Sequence, residues 1–164
     1  KMFMADFEDA HSSTWDGTIE GQINLGDAIR GQIAYTSPEG KEYRLHKHTA
    51  TLLPSGQPQV QPVWCAWDGT HVLVNTEKSR VKYRNLHERR RVTLLLVNPD
   101  DVYHWMEIRG SVDSEMQDGA VAQLDGLAKR YLGADKYPFG APGEVRVLFR
   151  IRPTHVVTFG PNSG

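Results

Sequence analysis

The stretch KSRVKYRN, residues 78 to 85, and the run RRR at 89 to 91 concentrate cationic side chains. Of the chain's 19 Lys and Arg residues, seven fall between Lys78 and Arg91, with Glu88 the one acid among them. Arg80 can fork onto a phosphate and Lys82 can add a point charge. The hydroxyls of Thr76 and Ser79 add donors. The same cations could also be a solvated helix face, which is the usual fate of a basic run. Spacing alone does not separate a phosphate site from a surface.

Other residues of chemical interest are scattered. His46 and His48 form HKH but lack further spaced ligands, so no metal site is expected. Either could supply a proton. Tyr35 and Tyr43 flank a short hairpin pattern and could also donate a proton, and nothing selects one of them. Tyr103, His104 and Trp105 alternate along a strand, which puts Tyr103 and Trp105 on one side for packing. Cys65 reads as a small buried hydrophobe. No Ser-His-Asp order or carboxylate pair suggests hydrolysis, so the catalytic residues stay unassigned.

These residues need elements to position them. QIAYTSPEGKEYRL predicts a small hairpin turning at SPEG. HTATLL predicts a strand, PSGQPQ a turn and VQPVWCAW a second strand with both faces apolar. Within it Val63, Cys65 and Trp67 alternate with Trp64 and Ala66, so Trp64 and Trp67 are expected on opposite faces. Trp67-Asp68-Gly69-Thr70 marks a tight turn into a third strand, HVLVNT. SRVKYRNLHE predicts a short helix with Ser79 as N-cap. Free N–H groups at its start would favour an anion. RVTLLLV and VYHWMEIRGSV predict two more strands. DGAVAQLDGLAKRYLG predicts an amphipathic helix, with Val121, Leu124, Leu127, Ala128, Tyr131 and Leu132 near one face and Gly133 at its end. EVRVLFRIRPTHVVTFG predicts one or two final strands broken at Pro153. Strands joined mostly by short turns, with two helices and no βαβ alternation, describe a mostly β protein: an antiparallel barrel with a covering helix.

Length and charge set the frame. A chain of 164 residues suits one domain with a real core. A formal net charge of −1 and a pI near 6.7 argue against a general nucleic-acid binder. No apolar run approaches the ~20 residues of a membrane span. The opening stretch KMFMADFEDAHSSTW is acidic and holds no secretory core. One cysteine excludes an internal disulfide framework. A cytoplasmic location is the expectation.

The segments ATLLPSGQPQVQPVWCAWDG, LVNTEKSRVKYRNL and RRRVTLLLVNPDDVYHWMEIRGSV, in this order, resemble the split β-barrel flavin and deazaflavin oxidoreductases, the superfamily of pyridoxamine-phosphate oxidase. LDGLAKRYLGADKYP and VLFRIRPTHVVTFG extend the resemblance over residues 48 to 160. The Arg-x-Lys spacing of Arg80 and Lys82, followed by Tyr83-Arg84-Asn85-Leu86, is similar to the branch that uses coenzyme F420. The resemblance implies a split antiparallel, FMN-binding-like barrel and a homodimer with the cofactor at the subunit interface. It implies hydride transfer from F420H2 to an activated C=C or C=N bond of a small conjugated organic molecule, in natural-product tailoring or xenobiotic reduction. It places the phosphate on Arg80 and Lys82, with Thr76 and Ser79 assisting, and Arg84 or the Arg89 to Arg91 run near the anionic tail. The ring would lie on Pro62, Val63 and Trp64, with Asn75 and Thr76 nearby. The alternatives are an FMN-dependent oxidoreductase on the same fold, and a non-catalytic cofactor or haem carrier with His46 or His48 as axial ligand. On this reading residues 48–164 are the F420-binding domain, and residues 1–47 are an extension that the family's usual single short helix does not match. Within the extension, the segment from Gln32 to Leu45 is expected to form a lid over the substrate pocket.

Overall fold

The structure, a computed structural model, describes residues 12–13, 35–36, 42–43, 46–98 and 101–160. Ten strands are seen: β1 (Ser12–Ser13), β2 (Tyr35–Thr36), β3 (Glu42–Tyr43), β4 (His46–Leu52), β5 (Pro58–Pro62), β6 (Cys65–Trp67), β7 (Val72–Glu77), β8 (Arg91–Asn98), β9 (Asp101–Met116) and β10 (Arg146–Phe159). Two helices join them, α1 (Val81–Arg89) between β7 and β8, and α2 (Ala120–Leu132) between β9 and β10.

The main sheet runs β5-β4-β8-β9-β10-β7-β6, antiparallel throughout, and β1 adds to β10. Its two edges, β5 and β6, are separated in the chain by only Val63 and Trp64. Two edges joined by so short a link must meet, so the sheet curls into the expected mostly β half-barrel. Alternation then fixes the interior. Val92, Leu94 and Leu96 of β8 point inward, as do Val72 and Val74 of β7 and Phe149 and Ile151 of β10. β2 and β3 form a separate hairpin with Tyr35 opposite Tyr43, as the sequence pattern predicts. The remainder of the lid expected over residues 32–45 lies outside the described residues.

Three local expectations need correction. VQPVWCAW is two strands on opposite sheet edges, because the chain turns the barrel corner at Val63–Trp64; Trp64 and Trp67 therefore share no strand. The α1 N-cap is Arg80, extended at φ −75° and ψ 149° and without a side-chain cap bond. Ser79 stands outside the helix because its N–H and hydroxyl turn back to the Glu77 carboxylate. Pro153 does not break β10 in two. The strand shifts register against β9 between Pro153 and His155. On its other side β10 pairs with β7 up to Ile151 and with β1 from Val156, so the missing N–H of Pro153 falls where that edge has no partner among the described residues.

α1 is pinned to the first hairpin by its own polar residues. The Asn85 amide donates to Thr51 Oγ1 at 3.0 Å and to Gln59 Oε1 at 3.2 Å. Arg89 Nε donates to the Leu52 carbonyl at 2.6 Å, and its Nη2 to Asn85 Oδ1 at 2.8 Å. Arg90 ends the helix in the left-handed region, φ 53°, and Nη2 donates to the Val112 carbonyl at 2.9 Å. Two members of the RRR run therefore tie the end of α1 to β4 and β9. α2 packs Leu124, Leu127 and Ala128 inward and ends at Gly133, φ 70°.

Candidate functional site

One cleft gathers most of the residues selected from the sequence. It has a volume of about 240 Å³ and is lined by Pro62, Val63 and Trp64 from the barrel corner, Asn75 and Thr76 from the end of β7, and Arg80 and Lys82 from the start of α1. Leu124 and Leu127 of α2, Tyr137 and Phe139 of the following loop, and Arg146 of β10 complete the wall. No motif or charge pattern in the sequence singles out these last five as site residues. Ser79 is not in the lining.

The cationic end is built by the β7–α1 turn. The Lys78 N–H donates to the Val145 carbonyl at 2.9 Å, which brings this turn beside the start of β10. Arg80 is exposed and Lys82 is only 7% exposed. No described residue gives the Lys82 ammonium a hydrogen bond or an acid partner. Burial, with a smaller contribution from Arg80, pushes its pKa down to about 8. A buried cation without a counter-ion is costly unless an anion arrives. Next to it, Asn75 donates its amide to the Ala120 carbonyl at 2.7 Å and to Gln123 Oε1 at 3.0 Å. Among the described residues, nothing partners the buried Asn75 Oδ1 and Thr76 Oγ1. Glu77, at the end of β7, is already engaged by the Ser79 hydroxyl and N–H, which hold its carboxyl below the usual range.

The other end is aromatic. Trp64 stacks on Tyr131, centroids 5.2 Å apart at 27°, and meets Tyr137 edge-on at 5.9 Å. Tyr137 in turn meets Phe139 at 5.6 Å. Tyr131 is itself anchored, accepting from Lys47 Nζ at 2.5 Å and donating to the Cys65 carbonyl at 3.2 Å. The Val63 N–H donates to the Lys47 carbonyl at 3.0 Å. The barrel corner is thus held from both sides and presents Trp64 to the cleft. Phe139 is 67% exposed on the rim.

The remaining candidates lie elsewhere. Arg84 and Arg91 are exposed outside the cleft lining, and Arg89 and Arg90 are used in the fold. Cys65 is fully buried in the core, and burial raises its thiol pKa. Tyr103 is exposed, and Trp105 stacks on Phe159 at 5.9 Å. His48 is half-buried on β4. Among the described residues, no group of three or more His, Cys, Asp or Glu is placed to hold a metal, and no helix is long and apolar enough to cross a membrane.

An anion with a flat ring attached is what a cleft with one cationic and one aromatic end can hold. A solved F420 reductase is 34% identical, with a TM-score of 0.60, and the match covers 68% of this chain and 88% of that one. A pyridoxamine 5'-phosphate oxidase-related, FMN-binding protein of Nostoc punctiforme shares the fold at 14% identity and a TM-score of 0.51, over 68% of this chain and 71% of that one. A local likeness of another kind is also present. Malate synthase of Myxococcus xanthus is 57% identical over 51 residues, 31% of this chain and 9% of that enzyme. The chain spans about a tenth of the length of the curated relatives it matches. The family model described as pyridoxamine 5'-phosphate oxidase matches residues 48–159, and the chain belongs to that family.

Proposed function

We propose that the cleft binds coenzyme F420 and that the protein is an F420H2-dependent reductase of small conjugated organic molecules. The observation that carries this reading is Lys82: buried, without an acid partner among the described residues, beside Arg80 and facing the same cleft as an aromatic wall. The chemistry of the residues fits the group. Arg80 and Lys82 would hold the phosphate. Thr76 Oγ1 and Asn75 Oδ1, both buried without partners among the described residues, would meet polar groups of the ligand. Pro62, Val63 and Trp64 would support the ring. When bound, the reduced cofactor supplies a hydride for an activated C=C or C=N bond. The protein's part is to position the two molecules and exclude water. The likeness to the F420 reductase supports F420 over FMN. FMN on the same residues is the second reading, supported by the FMN-binding neighbour.

A cleft of about 240 Å³ lies below the ~300–1,000 Å³ of ordinary small-molecule sites. One chain therefore encloses only part of a cofactor and its substrate. This supports a homodimer whose second copy completes the wall. Size-exclusion chromatography with light scattering should give twice the chain mass of 18.5 kDa; a monomer that still binds cofactor tightly would remove the dimer.

The deciding experiment is a fluorescence titration with F420 and FMN in parallel, on wild type and on Arg80→Ala/Lys82→Ala. F420 should bind wild type more tightly than FMN. The double variant should lose several kcal/mol, at ~1.5–3 kcal/mol per charged hydrogen bond. Unchanged affinity in the variant removes the phosphate site, and tighter FMN binding moves the assignment to the second reading. Binding of neither cofactor favours a carrier of another ligand.

A further inference from the structure

The cleft holds a third cation, Arg146, at the first position of β10. Its side chain is 9% exposed. Its guanidinium lies 4.9 Å from the Tyr137 ring centroid and bonds the Glu144 carboxylate through Nη2. A guanidinium carries five N–H donors in a rigid fork. Among the described residues, Glu144 is the one acceptor it meets. The contacts with Tyr137 and Glu144 leave its other N–H donors without an acceptor among the described residues.

The position ties this cation to the other two. Arg146 pairs with Glu77 across the β10–β7 ladder, and the turn carrying Arg80 is fastened to Val145 by the Lys78 N–H. Glu144 sits only two residues before Arg146, in the turn leading into the strand, and is 18% exposed. A carboxylate there can swing to water without moving a strand.

We infer that Arg146 is an anion-binding residue of this cleft and that Glu144 is its internal competitor: phosphate oxygens of a bound ligand replace the Glu144 carboxylate on the guanidinium. Glu144 then sets how much negative charge a ligand needs to enter. The inference rests on reading the cleft as a cofactor phosphate site.

The test is a calorimetric titration with tripolyphosphate, a ring-free polyanion, alongside F420 and FMN. Glu144→Gln should tighten tripolyphosphate at least threefold, and Arg146→Met should weaken it at least tenfold. In the double variant the gain from Glu144→Gln should vanish, because the competition acts only through Arg146. Arg146→Lys keeps a charge that both Glu144 and phosphate can meet and should keep part of the gain; Arg146→Gln, polar and uncharged, must lose it, which preserves the test if Arg146→Met does not fold. No binding of tripolyphosphate by wild type, unchanged affinity in Glu144→Gln, or a gain of equal size without Arg146 overturns the inference. If tripolyphosphate responds while neither cofactor binds, Arg146 stands and the cofactor reading falls. Cofactor binding that ignores both substitutions does the reverse.

Discussion

At the scale of single residues, Lys82 costs the fold something so that the cleft can be cationic. With a pKa near 8 in the folded chain against an ordinary value of 10.5, the group is charged at pH 7 in both states. The burial penalty is therefore present below pH 8. As pH rises through 8 the folded chain releases the proton first, the unfolded chain holds more protons, and stability rises until the unfolded lysine also titrates. Lys82→Met should then stabilise the protein at pH 7 by on the order of 1–3 kcal/mol, since one pKa unit is worth about 1.4 kcal/mol. The advantage should shrink between pH 8 and 10.5, and the variant should bind anionic ligands poorly throughout. Denaturant melts at several pH values check this, and a variant destabilised at pH 7 refutes it. In wild type, affinity for an anion should fall as pH rises through 8. Phe139 makes a contrasting case. A rim side chain 67% exposed contributes little to folding. Phe139→Ala should leave stability within ~0.5 kcal/mol while weakening ligands that carry a flat ring, and leaving tripolyphosphate unaffected.

At the scale of elements, two contacts decide whether the cleft keeps its shape. Asn85 is 1% exposed and joins α1 to β4 and β5 while accepting from Arg89. Asn85→Ala removes the Arg89 Nη2 contact and the bonds to Thr51 and Gln59, and should cost about 2–3 kcal/mol, at ~1 kcal/mol per neutral bond and more for the charged one. It should also loosen anion binding, because Lys82 and Arg80 ride on the same helix start. Gly110, opposite Pro153, leaves no room for a side chain: a Cβ there would lie 2.7 Å from both the Arg152 carbonyl oxygen and Ile151 Cγ2. Gly110→Ala should destabilise by ~1–3 kcal/mol with cofactor affinity per folded molecule unchanged; thermal melts and titrations separate the two effects. These elements show what the sequence could and could not reveal. RVTLLLV declares a buried strand as a short apolar run, and Asp68-Gly69 declares its turn, because both are local patterns. The cleft residues on Pro62–Trp64 and Asn75–Lys82 were readable through family resemblance and local charge. Arg89 and Arg90 were not, since their partners are carbonyls of β4 and β9 that no spacing rule connects to α1. Tyr137 and Phe139 lie in a loop without periodicity. Arg146 gains its meaning only from the ladder that sets it opposite Glu77. The corner at Val63–Trp64 was missed for a related reason: a continuous apolar run gives no local sign that the chain changes sheet edge.

At the scale of the whole molecule, every described cleft residue and all seven strands of the curled sheet lie between His46 and Phe159. The described part of the preceding chain gives this sheet one two-residue strand, Ser12 and Ser13 against Val157 and Val156, and β2–β3 is a sheet of its own. An isolated two-stranded hairpin has little stability by itself, so the barrel is the cooperative unit. A chain of residues 46–164 should therefore fold. It loses the short β1 ladder, about 1–2 kcal/mol at the net value of a hydrogen bond. With ~4 °C per kcal/mol for a domain between the smaller and larger size classes, Tm should fall by no more than about 8 °C. Affinity for F420 or tripolyphosphate should stay within about twofold, because no described cleft residue is removed. Thermal melts and titrations of the truncated chain read both quantities. If the cofactor still binds but the preference among candidate substrates shifts, residues 1–45 act on the substrate side, as the lid expectation requires. If binding of the ring-free polyanion falls tenfold, those residues contribute to the anion end, and the cleft as drawn from residues 62–146 is incomplete.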